Sequence, residues 1–166
     1  TFTSGNWSTP QTVTVTGVND ALDDGDIAYS IVTAAATSGD TNYNNLNPGD
    51  VAVTNTDNDT SGFTVSAISG NTTEAGGTAT FTVVLTAQPT ADVVIGLTSS
   101  DTTEGTVAPA SLTFTSANWN TPQTVTVTGV DDTLDDGNVV YSIVTAAATS
   151  ADSNYSGLNA TDVSVT

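Results

Sequence analysis

The chain has 166 residues, of which 18 are acidic and none is Lys, Arg, His, Cys or Met, so its formal net charge is −18. These missing residue types exclude disulfides, thiolate metal sites, His-dependent catalysis and Lys-based covalent chemistry, and they make nucleic acid and anionic membranes poor partners. No apolar run is long enough for membrane insertion. What remains is a scaffold with 35 threonines and a large supply of carboxylate oxygens.

A long internal repeat organises the chain. Residues 1–54 recur as residues 113–166, and 40 of the 54 aligned positions are identical. This spacing is too long for a solenoid unit and fits an independent domain repeated in tandem. We therefore predict the C-terminal half of one repeat plus a linker at 1–58, followed by a nearly complete second repeat at 59–166.

Apolar and polar residues alternate with period two, which predicts β-strands, and no segment of useful length has a helical period. In the first half-repeat the predicted strands are 1–3, 11–18, 26–35 and 50–56. In the second repeat they are 63–68, 78–86, 92–98, 111–115, 123–130, 138–147 and 162–166. Seven such strands in about 105 residues predict an all-β fold, an immunoglobulin-like antiparallel β-sandwich in tandem repeats.

The first half-repeat has apolar strand faces without the strands that would cover them. We therefore expect residues 1–56 to pack against another chain or against sequence outside this chain, for example by strand complementation between copies. Val13, Val15, Ile27 and Ile31 are then not expected to be buried within one isolated chain.

The acidic residues cluster once the strands are taken as antiparallel, because alternate loops then lie at the same end of the sandwich. Seven of the ten acids in residues 60–166 fall at one end. They are Glu74, Asp101, Glu104, Asp131, Asp132, Asp135 and Asp136. This pattern has two interpretations: a solvated acidic rim that keeps the protein soluble, or a site for Ca²⁺, which takes six to eight oxygen ligands in flexible geometry. Mg²⁺ fits less well, because it keeps most of its waters.

The connection between the repeats is acidic as well. Its segment from Asp57 to Gly62 matches the front half of an EF-hand loop, but it lacks the final Glu and the flanking helices. We predict that calcium binds at both acidic ends and stiffens the joint between repeats.

Four separated blocks carry a family resemblance. They read TTEAGGTATFTVVL, LTSSDTTEGTV, LTFTSANWNTPQTVTVTGVDDTLDDG and VTNTDND. Over essentially its whole length the chain resembles the Calx-beta repeat, and more closely the Calx-beta-like repeats of large bacterial surface and adhesin-type proteins. The resemblance implies calcium held by Glu74, by Asp101, by the acids of 131–136, and by Asp57 with Asp59. The predicted ligands are therefore Asp20, Asp23, Asp24, Asp57 and Asp59 at the end of the first repeat, and Glu74, Asp101, Asp131, Asp132, Asp135 and Asp136 in the second. Two departures reduce the expected number or affinity of ions: Asn58 interrupts the exit acids, and Asn19 stands at the position equivalent to Asp131.

The resemblance implies a structural calcium-binding module of a long extracellular or cell-surface protein, as an adhesin stalk or filament, with neighbouring repeats or other copies as partners. The alternative is an adhesion module that binds glycan or protein through its loops or an exposed sheet face. Enzymatic activity is not expected, because acids on turns beside other acids suit metal binding better than acid–base chemistry. Trp7 and Trp119 are interpreted as core anchors, and Tyr43 and Tyr155 as residues that tether a long loop.

Overall fold

The computed structural model describes residues 1–135 and 137–166, and none of these residues is helical. The chain divides into two compact units. Unit 1 is Thr1–Asp20 with Asp26–Thr56, and unit 2 is Ala21–Gly25 with Asp57–Thr166. The short segment 21–25 therefore belongs to unit 2, although it lies in the first copy of the sequence repeat.

Unit 1 contains one antiparallel pair of strands, β1 (Ile27–Ile31) and β2 (Val51–Asn55), in a register that runs from Ile27 opposite Asn55 to Ile31 opposite Val51. Its apolar side chains are largely solvent-exposed: Val13 is 79% and Val15 is 41% exposed. Ile27 is 49% exposed and Ile31 is half-buried. As expected, none of the four is buried within the chain.

Unit 2 consists of two antiparallel sheets that pack together, consistent with a β-sandwich. Its strands are β3 (Phe63–Val65), β4 (Thr78–Leu85), β5 (Val93–Ser99), β6 (Gly105–Ala108), β7 (Ser111–Phe114), β8 (Gln123–Gly129), β9 (Tyr141–Thr145), β10 (Thr149–Ser150) and β11 (Val163–Val165). One sheet has the order β3-β4-β8-β6. In the other, β5 pairs with β7, β9 and β10, and β9 also pairs with β11.

The core lies between these sheets, because every second side chain of each strand points inward. In β4 the inward residues are Ala79, Phe81, Val83 and Leu85, all at most 3% exposed. The alternation predicted from the sequence is confirmed along this strand. It is confirmed in β5 as well, where Val93, Ile95 and Leu97 are buried.

Two strand predictions in the first half-repeat are wrong. Residues 1–3 and 11–18 form no strand, although their counterparts in the second repeat belong to β7 and β8. The physical reason is the lack of ladder partners: β7 pairs with β5, and β8 pairs with β4 and β6. Residues 1–56 contain no counterparts of these three partner strands. Conversely, the sequence did not predict β6, which lies in a segment that we had interpreted as a connection.

Candidate metal sites and the loops that carry them

The first candidate site is formed by the segments 21–25 and 57–61, both in unit 2. The Asp57 carboxylate accepts hydrogen bonds from the backbone N–H groups of Gly25 (2.7 Å) and Asp59 (2.9 Å). The Asp23 carboxylate accepts one from Ser61 N–H at 2.8 Å. These hydrogen bonds bring together the loop carrying Asp23 and Asp24 and the linker carrying Asp57 and Asp59.

The same hydrogen bonds affect the pKa of one carboxylate, that of Asp57. The bonds from Asp59 and Gly25, in that order, lower the pKa of Asp57 below its ordinary value. Gly25 reaches this position with a φ of 77°, a left-handed conformation that favours glycine. Its counterpart in the second repeat, Gly137, also has a φ of 77°.

The same loop contacts two further loops of unit 2. Ala21 C=O accepts a hydrogen bond from Gln88 N–H at 2.7 Å, and Asp23 C=O accepts one from the Asn154 side-chain amide at 2.5 Å. A cavity of about 530 Å³ opens here. It is lined by Asp23, Asp24, Gly25, Thr90, Ala151, Asp152, Ser153 and Asn154.

Asp152 is an acid of this cavity that was not among the predicted ligands. It is only 6% exposed, and its carboxylate accepts hydrogen bonds from Thr90 N–H (2.8 Å) and Asn154 N–H (2.9 Å). Burial raises its pKa, but the hydrogen bonds from Thr90 and Asn154 outweigh burial, so the net effect lowers the pKa. The sequence placed Asp152 at the less acidic end of the sandwich. The sequence signal that could have found Asp152 is the position of the linker. The linker joins the first repeat to the end of the second repeat where Asp152 lies, so it brings acids of the first repeat to that end.

The second candidate site lies at the acid-rich end of the second repeat. A cavity of about 320 Å³ is lined there by Glu74, Glu104 and Asp135, together with Tyr141 and the C-terminal Thr166. Antiparallel strand order alone placed these three acids at one end. Glu104 was nevertheless missing from the predicted ligands, because the family resemblance favoured Asp101 in the same loop. Asp136, also a predicted ligand, lies outside the described residues.

Among the described residues, the predicted ligands Asp101, Asp131 and Asp132 do not line this cavity. The Asp101 carboxylate accepts hydrogen bonds from the side-chain hydroxyl (2.5 Å) and the N–H (3.0 Å) of Thr103, which lower its pKa. The Asp132 carboxylate accepts one from Leu134 N–H at 2.7 Å, and Asp131 is exposed. As placed, Asp101 and Asp132 stabilise their own turns.

The donor chemistry suits calcium, because every candidate ligand is a hard oxygen. The arrangement is looser than a formed site: among residues 1–135 and 137–166, no group of three acidic residues is close enough to hold a metal ion. Of the remaining predicted ligands, Asp59 is half-buried in unit 2, and Asp20 belongs to unit 1.

Comparisons with protein-family models, with curated proteins and with solved structures found no match. In the part of the chain that the structure describes, no helix has the length and apolar character needed to cross a membrane.

Proposed function

We propose that the chain is a structural, calcium-binding repeat module of the Calx-beta-like, immunoglobulin-like type, from a long extracellular surface protein such as an adhesin stalk or filament. The observation that carries the proposal is the place of segment 21–25. It belongs to the first copy of the repeat, yet it packs in unit 2 with the linker and with loops of the second copy. A loop of one repeat that packs with loops of the next repeat suits a structural module whose repeats are joined one after another.

Calcium has a defined role in this proposal. Asp23, Asp24, Asp57 and Asp59 lie on two segments already joined by hydrogen bonds, and without a cation their charges repel one another. Bound calcium neutralises these charges and holds the loop and the linker together. Among the residues that the structure describes, no three acids are grouped tightly enough to hold a metal ion, so binding requires the carboxylates to draw closer.

The test compares the chain with calcium and with chelator. Calcium that binds only the folded state raises the free energy of unfolding by about 2.7 kcal/mol at a hundredfold excess over Kd. The melting temperature therefore rises. In small-angle scattering the particle lengthens. Asp57→Asn with Asp59→Asn removes most of the lengthening and has less effect on the melting of the second repeat, which has its own group of acids.

Two controls make the test specific. Asp92→Asn removes one charge at an exposed position outside both candidate sites, and its calcium response equals that of the unaltered chain. Magnesium at the same concentration, which matches the ionic strength, gives a smaller response. If chelator changes neither melting nor particle length, the acids are a solvated rim and the calcium proposal is wrong.

A further inference from the structure

The loop at 21–25 is held on unit 2 through its backbone. Its carbonyls at Ala21 and Asp23 accept hydrogen bonds from the backbone N–H of Gln88 at 2.7 Å and from the side-chain amide of Asn154 at 2.5 Å. Gln88 stands in the connection between β4 and β5, and Asn154 in the connection between β10 and β11. Two separate loops of the second repeat therefore contact one short segment of the first.

The donors that hold this loop are neutral. A third donor is the backbone N–H of Ser61 in the linker, which bonds to the Asp23 carboxylate at 2.8 Å. The chain has no Lys, Arg or His, so neutral N–H groups take the place of the ion pairs that could otherwise hold an acidic loop. Each of these bonds joins two groups of the chain itself, so none of them requires a cation.

The equivalent residues of the other repeat show what this contact changes. Leu22 is half-buried, whereas Leu134, at the same position of the second copy of the loop, is 67% exposed. Asn154 also differs from its counterpart, because the side-chain amide of Asn42 donates to the Asp40 carboxylate of its own turn at 3.1 Å. The burial of Leu22 therefore comes from the place of the loop on unit 2 and not from the loop itself.

We propose that unit 2 carries a docking surface for the acidic loop of the preceding repeat, and that this surface binds the loop without calcium. The surface consists of the linker at Ser61 and the two connections at Gln88 and Asn154. Asn154 is its positioning residue, since the bond to the carbonyl of Asp23 holds that residue where its carboxylate reaches the linker. Calcium then binds to a loop that is already docked, and this last step alone rests on the proposed function.

Charge opposes the docking and gives it a signature. Asp23 and Asp24 of the loop line one cavity with Asp152, which is only 6% exposed. Salt screens the repulsion among these carboxylates, since the Debye length falls from about 30 Å at 0.01 M to about 10 Å at 0.1 M. We therefore expect sodium chloride to strengthen the docking in chelator, whereas it would weaken a joint held by ion pairs.

The first experiment measures amide hydrogen exchange by NMR on the full chain in chelator. The amides of Gly25, Ser61 and Gln88 report on docking, because each takes part in a hydrogen bond between the loop and the rest of unit 2. All three exchange more slowly than unprotected amides. Asn154→Ala speeds their exchange about threefold or more, the effect of one lost hydrogen bond, and leaves exchange in β8 unchanged because unit 2 stays folded.

Matched variants separate docking from general effects on the chain. Asn42→Ala leaves the three amides unchanged, because the Asn42 side chain bonds within its own turn. Leu22→Ser speeds their exchange, whereas Leu134→Ser does not, since Leu134 is already exposed. Each pair replaces the same residue type at equivalent positions of the two repeats, so docking is what distinguishes its members.

A calcium titration tests the positioning role of Asn154. Asn154→Ala weakens, by about threefold or more, the calcium binding that Asp57→Asn with Asp59→Asn removes, and Asn42→Ala leaves that binding unchanged. If the unaltered chain binds no calcium, the proposed function is wrong, while the docking is still decided by the exchange measured in chelator.

Three results would overturn the proposal. One is exchange of the Gly25, Ser61 and Gln88 amides in chelator at the rates of an unstructured chain. Another is equal exchange in Asn154→Ala and Asn42→Ala. The third is docking that weakens as sodium chloride is added. If Asn154→Ala loosens the loop in chelator but binds calcium as tightly as the unaltered chain, the positioning role is wrong.

Discussion

Tyr155 and Tyr43 occupy equivalent positions of the repeat, and replacing each by Phe tests how the core holds a loop. Tyr155 lies in the connection between β10 and β11 and is fully buried. Its hydroxyl donates to the carbonyl of Ala87 at 2.5 Å and accepts from the N–H of the same residue at 3.1 Å. Its ring contacts Phe63, with centroids 5.9 Å apart. The prediction that this tyrosine tethers the loop is confirmed for Tyr155.

The structure sets the size of the effect. Tyr155→Phe keeps the ring contact but leaves both polar groups of Ala87, a residue with no solvent exposure, without the hydroxyl. A buried donor or acceptor left without its partner costs about 1–3 kcal/mol. We therefore expect unit 2 to lose about 2–4 kcal/mol, which at about 4 °C per kcal/mol lowers its melting temperature by about 8–16 °C. Tyr43→Phe changes stability by less than about 0.5 kcal/mol, because Tyr43 is 60% exposed.

The assay is differential scanning calorimetry of the two variants in chelator, with hydrogen exchange at the Val125 and Val127 amides as a local report on unit 2. Both amides exchange faster in Tyr155→Phe and at an unchanged rate in Tyr43→Phe. The argument that the Tyr155 hydroxyl stabilises the core of unit 2 would be refuted by equal melting temperatures for the two variants. A fall of less than about 0.5 kcal/mol in the free energy of unfolding of Tyr155→Phe would refute it as well.

Three further predictions use the same unit. The methyl group added by Gly129→Ala meets the backbone carbonyl of Thr73, which a small shift cannot move away. We therefore expect the free energy of unfolding, measured by chemical denaturation, to fall by about 1–3 kcal/mol. The matched Gly17→Ala meets only the Asn55 side chain and lowers it less. Val125→Ala costs about 2 kcal/mol in the same measurement, and the exposed counterpart Val13→Ala less than about 0.5 kcal/mol. The pKa of Asp152 is lower in the folded protein than in the unfolded chain, where it is about 3.9. The stability that this difference gives is present above about pH 3.9 and is lost as the pH falls through the folded pKa. The melting temperature of unit 2 therefore falls in acid. Asp152→Asn makes that fall shallower, and an unchanged pH profile would contradict this assignment.

The sequence predicted the core of unit 2 well, because alternation in a strand is a direct record of burial on one face. Phe81 and Val83 stand two residues apart in the predicted strand 78–86, which puts them on one face, and both are buried. The missed strand β6 has only four residues, too few to show a period, and it ends at Ala108, directly before Pro109. It pairs with β8, and such a pairing is not visible in the segment itself.

The candidate sites were predictable to the level of loops but not of side chains. Strand order brought Glu74, Glu104 and Asp135 to one end, and these acids line one cavity. It could not show that the Asp101 carboxylate bonds to Thr103 within its own turn. That choice depends on a side-chain rotamer, and a turn that satisfies its carboxylate locally competes with a shared site for the same oxygens.

The repeated octapeptide shows where sequence reasoning about strands reaches its limit. Residues 11–18 and 123–130 have the same propensities, the same alternation and the same turn residues, yet only the second segment contains a strand. The difference is the pairing of β8 with β4 and β6, which satisfies its backbone and covers its valines. Local pattern therefore determines which face of a segment is apolar, while the partner strands determine whether it becomes a strand at all. Residues 11–18 of the first half-repeat already have the alternation of a strand, so they need only a segment that supplies the partner strands in order to form one.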